Sequence, residues 1–135
     1  MVKRPKIYFC DTGPACHLAK VTDAETFMAG YLKGPMAETF IINEIIRTYR
    51  NNREYAGFYY YRDSSMNGID LVILRNGTLS LIECKAGIGY GASDVKAIGK
   101  MEKSDNKVGP SCLICLTEKT YPIDKDVYAL PVTAI

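Results

Sequence analysis

Ile69-Asp70-Leu71-Val72-Ile73-Leu74-Arg75-Asn76-Gly77-Thr78-Leu79-Ser80-Leu81-Ile82-Glu83-Cys84-Lys85 is the stretch that decides the fold. Two apolar runs, Ile69 to Arg75 and Thr78 to Lys85, meet at Asn76-Gly77. That dipeptide predicts a tight β-hairpin, because both central positions of the favoured two-residue turn need positive φ. The turn also sets a register. Arg75 should face Thr78, Leu71 should face Ile82, and Asp70 should face Glu83. Directly opposed side chains on paired strands have Cβ atoms about 5 Å apart, and like charges there destabilise the pair. Two carboxylates meeting at the end of an apolar hairpin therefore call for a cation. Mg²⁺ or Mn²⁺ suits hard oxygen ligands best. Strand alternation puts Lys85 on the same side as Glu83, where an ammonium could stabilise charge developing on a phosphate or orient an attacking water. Gly68 would lie opposite Lys85 and leave room for a ligand.

Outward from the hairpin, Pro35 sits where a helix would start, and Met36 to about Asn51 reads as the main helix. Ile41, Ile42, Ile45, Ile46 and Tyr49 form its apolar stripe, with Asn43, Glu44 and Arg47 on the far side. Glu38 falls near the middle of the stripe. It could draw on the helix dipole, act as a cap or core ion pair, or reach a metal beside Asp70 and Glu83.

The remaining chain is less patterned. Ile7 to Cys10 reads as a short strand, followed by a turn at Asp11-Thr12-Gly13-Pro14 and a brief helix over Ala15 to Lys20. Val21 to Gly34 reads as a loop or short helix. Gly57 to Arg62 is strand-like and aromatic, and Asp63 to Gly68 a polar loop. A glycine-rich stretch leads to a helix from about Ser93 to Lys107. Ser111 to Thr117 and Val127 to Leu130 read as further strands. The class is mixed α/β, one domain over 1–135, a length sufficient for one core.

Hydrophobic residues at 47% and charged residues at 24% are ordinary for a soluble globular chain. A net charge of +2 is too small to indicate a partner. No apolar run approaches the ~20 residues of a membrane span. The start, Met1 to Lys6, is basic but has no signal-peptide core. Five cysteines, an odd number within or beside apolar runs, indicate reduced thiols in a cytoplasmic protein.

The order Glu38, Asp70, Glu83-Cys84-Lys85 resembles the PD-(D/E)XK nuclease superfamily. That resemblance implies a restriction-endonuclease-like core, a central mixed sheet flanked by helices. More closely, Pro5 to Gly13, Gly34-Pro35-Met36-Ala37-Glu38, Ile69 to Val72 and Ile82 to Lys85 resemble the C-terminal domain of a family of bacterial and archaeal AAA+ ATPases. The resemblance covers nearly the whole chain. It implies the C-terminal part of a longer ATPase, since no Gly-x-x-x-x-Gly-Lys-Ser/Thr phosphate loop is present. It further implies a Mg²⁺- or Mn²⁺-dependent phosphodiesterase acting on DNA. Asp70, Glu83, Glu38 and the Cys84 carbonyl would hold the metal, and Lys85 would assist catalysis. The family commonly has glutamate two residues before the aspartate, where this chain has Gly68. The alternative is an inactive nuclease-fold module, kept for nucleic-acid or protein docking, that regulates its ATPase.

Blander readings compete at each position. Asp70, Glu83 and Lys85 could be a salt-bridged strand end. Lys96, Lys100, Lys103 and Lys107 share a helical face that could contact a phosphate backbone or simply be solvated beside Glu102 and Asp105. Gly87, Gly89 and Gly91 lack the third glycine of a dinucleotide fingerprint, with Asp94 in its place and no βαβ unit expected around them. Cys112 and Cys115 fall on opposite faces of a strand, as core thiols rather than a zinc pair. His17 has no evident catalytic partner. Tyr59-Tyr60-Tyr61 could stack on bases, although strand packing accounts for it more simply.

Overall fold

The computed structural model describes residues 5–65 and 67–135. The basic residues Met1 to Arg4, and Met66 in the polar loop, lie outside the described residues. Helices α1 (Thr12–Leu18), α2 (Ala24–Ala29) and α3 (Lys33–Asn51) come first. Strands β1 (Gly57–Arg62), β2 (Gly68–Arg75) and β3 (Thr78–Cys84) follow, then α4 (Lys96–Glu102), β4 (Ser111–Cys115), β5 (Tyr121–Asp124) and β6 (Val127–Pro131). The six strands form one mixed sheet in the order β1-β2-β3-β4-β6-β5. β1, β2 and β3 are antiparallel, β4 and β6 add parallel to β3, and β5 closes the edge antiparallel to β6.

The sheet is covered on both faces, and its alternating side chains divide the core in two. On one face Ile41, Ile42 and Ile45 of α3 pack on Leu71, Ile73, Ile82 and Ile114. On the other, Val95, Ala97 and Ile98 at α4 pack on Ile69, Val72, Leu81, Leu113 and Val127. The β2–β3 turn adopts the expected geometry, with Asn76 at φ 50 and Gly77 at φ 73. Pairing runs from Arg75 with Thr78 to Leu71 with Ile82, as the turn requires, and the ladder stops there, one pair short of Asp70 and Glu83.

Several expectations are corrected. Ile7 to Cys10 forms no strand. It runs along α3, whose Asn43 donates to the Phe9 carbonyl at 2.6 Å and Arg47 to the Cys10 carbonyl at 2.6 Å, so side chains replace a ladder. The Val21–Gly34 region, by contrast, holds a short helix, one of the two expected forms: α2, capped by Asp23, which accepts from the Thr26 amide at 2.7 Å. The helix expected over 93–107 is a 3₁₀ turn at Ala92–Val95 and then α4 alone. It ends at Glu102 because Ser104 turns back onto the Met101 carbonyl through both its amide and its hydroxyl. β3, α4 and β4 make a parallel crossover, so the glycine-rich stretch does lie inside a βαβ connection. Cys112 and Cys115 do pack on opposite sides of the sheet, and all five cysteines are free. Among the described residues no helix is long and apolar enough to cross a membrane.

Candidate functional site

A cleft of about 440 Å³ opens where β1 and β3 end and β2 begins, against the first turns of α3, lined by Glu38, Arg62, Gly68, Asp70, Glu83, Cys84 and Lys85 among others. Each lining residue has a local reason to be there. Glu38 lies in α3 on the side of Ile41, Ile42 and Ile45, all of which are buried, so its carboxylate is carried toward the sheet. Asp70 owes its direction to an irregularity that no local pattern announced. Tyr59 opposes Val72 while Tyr61 opposes Ile69, so Asp70 and Leu71 together face Tyr60 alone. Such a bulge adds one residue to a strand and re-aims the side chains beside it. The shift sends Ile69 to the α4 side of the core and Leu71 to the α3 side. Glu83 and Cys84 come from the end of β3, and the Lys85 amide extends the sheet by donating to the Ile114 carbonyl at 3.0 Å.

The charges are paired closely. Lys85 Nζ lies 2.9 Å from Glu83 Oε1. Lys6 Nζ lies 2.9 Å from Glu38 Oε1 and 3.1 Å from Asp70 Oδ1, bridging the two carboxylates. Tyr8 donates its hydroxyl to the same Glu38 oxygen at 2.7 Å, and the face of Tyr60 lies 5.4 Å from the Lys6 ammonium. Asp70 Oδ2 accepts from the Cys84 amide at 3.1 Å.

These surroundings shift the titrating groups. Burial, and then the charge of Asp70, push the Glu83 carboxyl up to about 7, against the opposing pull of Lys85. Burial alone would lower the Lys6 ammonium, but hydrogen bonds and charge from Glu38 and Asp70 outweigh it and raise it. Burial and the Glu38 carboxylate raise the Tyr8 phenol. Burial, joined by the charges of Asp70 and Glu38, keeps the Cys84 thiol protonated. Cys84 packs in the α3-side core and also lines the cleft.

The structure thus gathers Glu38, Asp70, Glu83, Cys84 and Lys85 around one cleft. It does not gather the lysines of the second helix into one helical face. Lys96 and Lys100 are on α4, Lys103 caps it, and Lys107 lies beyond its end. All four are exposed, and Lys100 reaches Asp63 at 3.8 Å. His17 is exposed on α1, away from the residues lining the cleft. Reading the sequence missed Lys6, Tyr8 and Arg62. The pattern held a signal for the first two, since Lys6 and Tyr8 alternate with Ile7 and Phe9, but an extended segment lying on a helix shows the same alternation as a strand.

A family model described as Domain of unknown function (DUF4143) matches residues 33–135. The chain belongs to that family. DUF4143 domains are commonly found at the C-terminus of AAA-ATPase proteins. The matched span holds Glu38, Arg62, Asp70, Glu83 and Lys85, whereas Lys6 and Tyr8 precede it. Neither the curated proteins nor the solved structures gave a match.

The DUF4143 cleft fits a hard divalent cation in kind, because Glu38, Asp70 and Glu83 are oxygen donors of the type Mg²⁺ and Mn²⁺ take. It does not present them as a closed set. Among the described residues, no three acidic, histidine or cysteine side chains stand grouped as metal ligands. The Lys6 ammonium stands between two of the donors instead.

Proposed function

We propose that this domain binds a phosphodiester in the cleft and is a divalent-cation-dependent, PD-(D/E)XK-type nuclease module of an AAA-ATPase, with DNA as the substrate. The observation that carries this reading is the convergence of Glu38, Asp70, Glu83 and Lys85, from one helix and two strands, on a single open cleft. A buried Glu83 beside a second carboxylate is a costly arrangement for the fold alone. Perturbed carboxylates in a cleft are a common mark of a functional site.

Asp70 and Glu83, with Glu38 and the Cys84 carbonyl, would hold the cation. When bound, Mg²⁺ or Mn²⁺ supplies Lewis acidity toward a phosphoryl oxygen and lowers the pKa of its water. The residues of the chain do the rest. Lys85, held at 2.9 Å by Glu83, sets a fixed positive charge at the cleft for the oxygen on which negative charge develops. Arg62, at the end of β1, offers a planar fork suited to two phosphate oxygens. Gly68 keeps that wall low, since a Cβ there would come within 3.2 Å of the Tyr61 carbonyl and 3.6 Å of Arg62 Nε. Incubation with supercoiled plasmid and Mn²⁺ should yield nicked circles, and Asp70→Ala should not. Equal nicking by both proteins, or by neither, contradicts the reading.

One observation favours a second reading, an inactive docking module that regulates its ATPase. Lys6 and Lys85 already neutralise the carboxylates of the cleft from within the chain. Calorimetric titration separates the two, because Mn²⁺ binding that is lost in Glu83→Ala belongs to the first reading only.

A further inference from the structure

The segment Pro5–Asp11 is attached in an unusual way. Among the described residues it has no strand partner, and three side chains of α3 hold it through four hydrogen bonds: Glu38 takes Lys6 and Tyr8, Asn43 takes the Phe9 carbonyl, and Arg47 takes the Cys10 carbonyl. Tyr8 packs against the α3-side core, but Ile7 is 92% and Phe9 55% exposed. A segment with so little buried apolar surface opens at low free-energy cost. Its one charged side chain directed at the cleft ends between the two carboxylates, 2.9 Å from Glu38 and 3.1 Å from Asp70.

Resting on the reading above, we propose that Lys6 is the resident cation of this site, so that a divalent ion and the docked Pro5–Asp11 strap exclude each other. The ammonium holds one oxygen of each of two carboxylates, Glu38 Oε1 and Asp70 Oδ1, that could otherwise serve as donors to an ion. A second positive charge cannot be added in contact with the first without repulsion. Glu38 is pulled the same way by Tyr8, so release of Lys6 and rearrangement of Glu38 are coupled through one shared oxygen. Lys6 thereby preorganises two donors while keeping them closed to the ion. Cation affinity then depends on the state of the strap, and anything that lifts the strap opens the site.

Calorimetric titration of MnCl₂ into the wild-type chain, Lys6→Met and Lys6→Arg tests this, together with hydrogen exchange of the amides of residues 6–11 with and without Mn²⁺. Lys6→Met keeps the aliphatic stem and loses the charge, so it should bind Mn²⁺ about tenfold tighter or more, whereas Lys6→Arg should stay near wild type. Mn²⁺ should speed exchange across residues 6–11 of the wild-type protein. Equal Mn²⁺ affinity in all three proteins, with exchange of the strap unchanged, overturns the exclusion and leaves the cation site standing. Absence of Mn²⁺ binding from all three overturns the cation site, and the role of Lys6 with it.

Discussion

Among the described residues, Glu83 is the one charged side chain that is buried. It is 9% exposed, faces the charge of Asp70, and has one cation, Lys85, within 2.9 Å. Its carboxyl stands at about 7 in the fold against 4.5 in a free side chain, so the native state binds its proton more tightly than the unfolded chain does. The stabilisation this proton confers is complete below about pH 4.5 and is lost as the pH rises through about 7. Wild-type stability should therefore fall relative to Glu83→Gln between pH 4.5 and 7, and the difference should level off above that. Urea midpoints of both proteins at pH 5 and pH 8 check it, and a constant difference counts against a raised carboxyl. Arg62 acts at the same scale but on the ligand. Arg62→Ala should weaken DNA binding by about tenfold, one charge-assisted contact, while Mn²⁺ affinity stays within about twofold in calorimetry. A matching loss of Mn²⁺ affinity would mean that Arg62 supports the carboxylates instead.

At the scale of elements, the β2–β3 hairpin sets the site and its turn sets the hairpin. Gly77→Ala places a Cβ at φ 73 with no atom within 4 Å, so the cost is backbone strain alone, about 1 kcal/mol. Chemical denaturation should show that loss, and a neutral substitution would mean that the turn adapts. This hairpin was legible because its chemistry is local, with two positive-φ residues between two apolar runs fixing every pair from Arg75 to Leu71. Glu38 was legible for the same kind of reason, since helical periodicity carries a residue's direction over several turns. What lay beyond local pattern was decided by distant partners. The bulge at Asp70 belongs to the pairing of β2 with β1, and no residue in Ile69 to Val72 announces it. The Ile7 to Cys10 segment has strand composition but meets a helix carrying Asn43 and Arg47. β5 went unread because Tyr121-Pro122-Ile123-Asp124 is short and contains proline, which an edge strand tolerates.

Across the whole molecule, the sheet separates two cores, and β1 and β3 end and β2 begins beside α3, which places the cleft on one rim. Lys100, on the opposite layer, reaches Asp63, the residue following Arg62, so α4 is tied to the loop that borders the cleft. This tie links exposed lysines to the proposed DNA path. The double variant Lys96→Ala/Lys100→Ala should lower the salt slope of DNA binding by about 1 to 2 and leave the sequence preference unchanged. An unchanged slope would assign both lysines to an ordinary solvated face. The α/β class and the rim position follow from the architecture, whereas the chemistry depends on whether the carboxylates accept a cation in place of Lys6. Crystals soaked in MnCl₂ and measured for anomalous scattering address that point most directly. A Mn²⁺ peak bounded by Asp70 and Glu83, with Lys6 withdrawn from Glu38 and Asp70, is the predicted result. A cleft without a peak in fully soaked crystals, with the Lys6 bridge intact, would contradict the account.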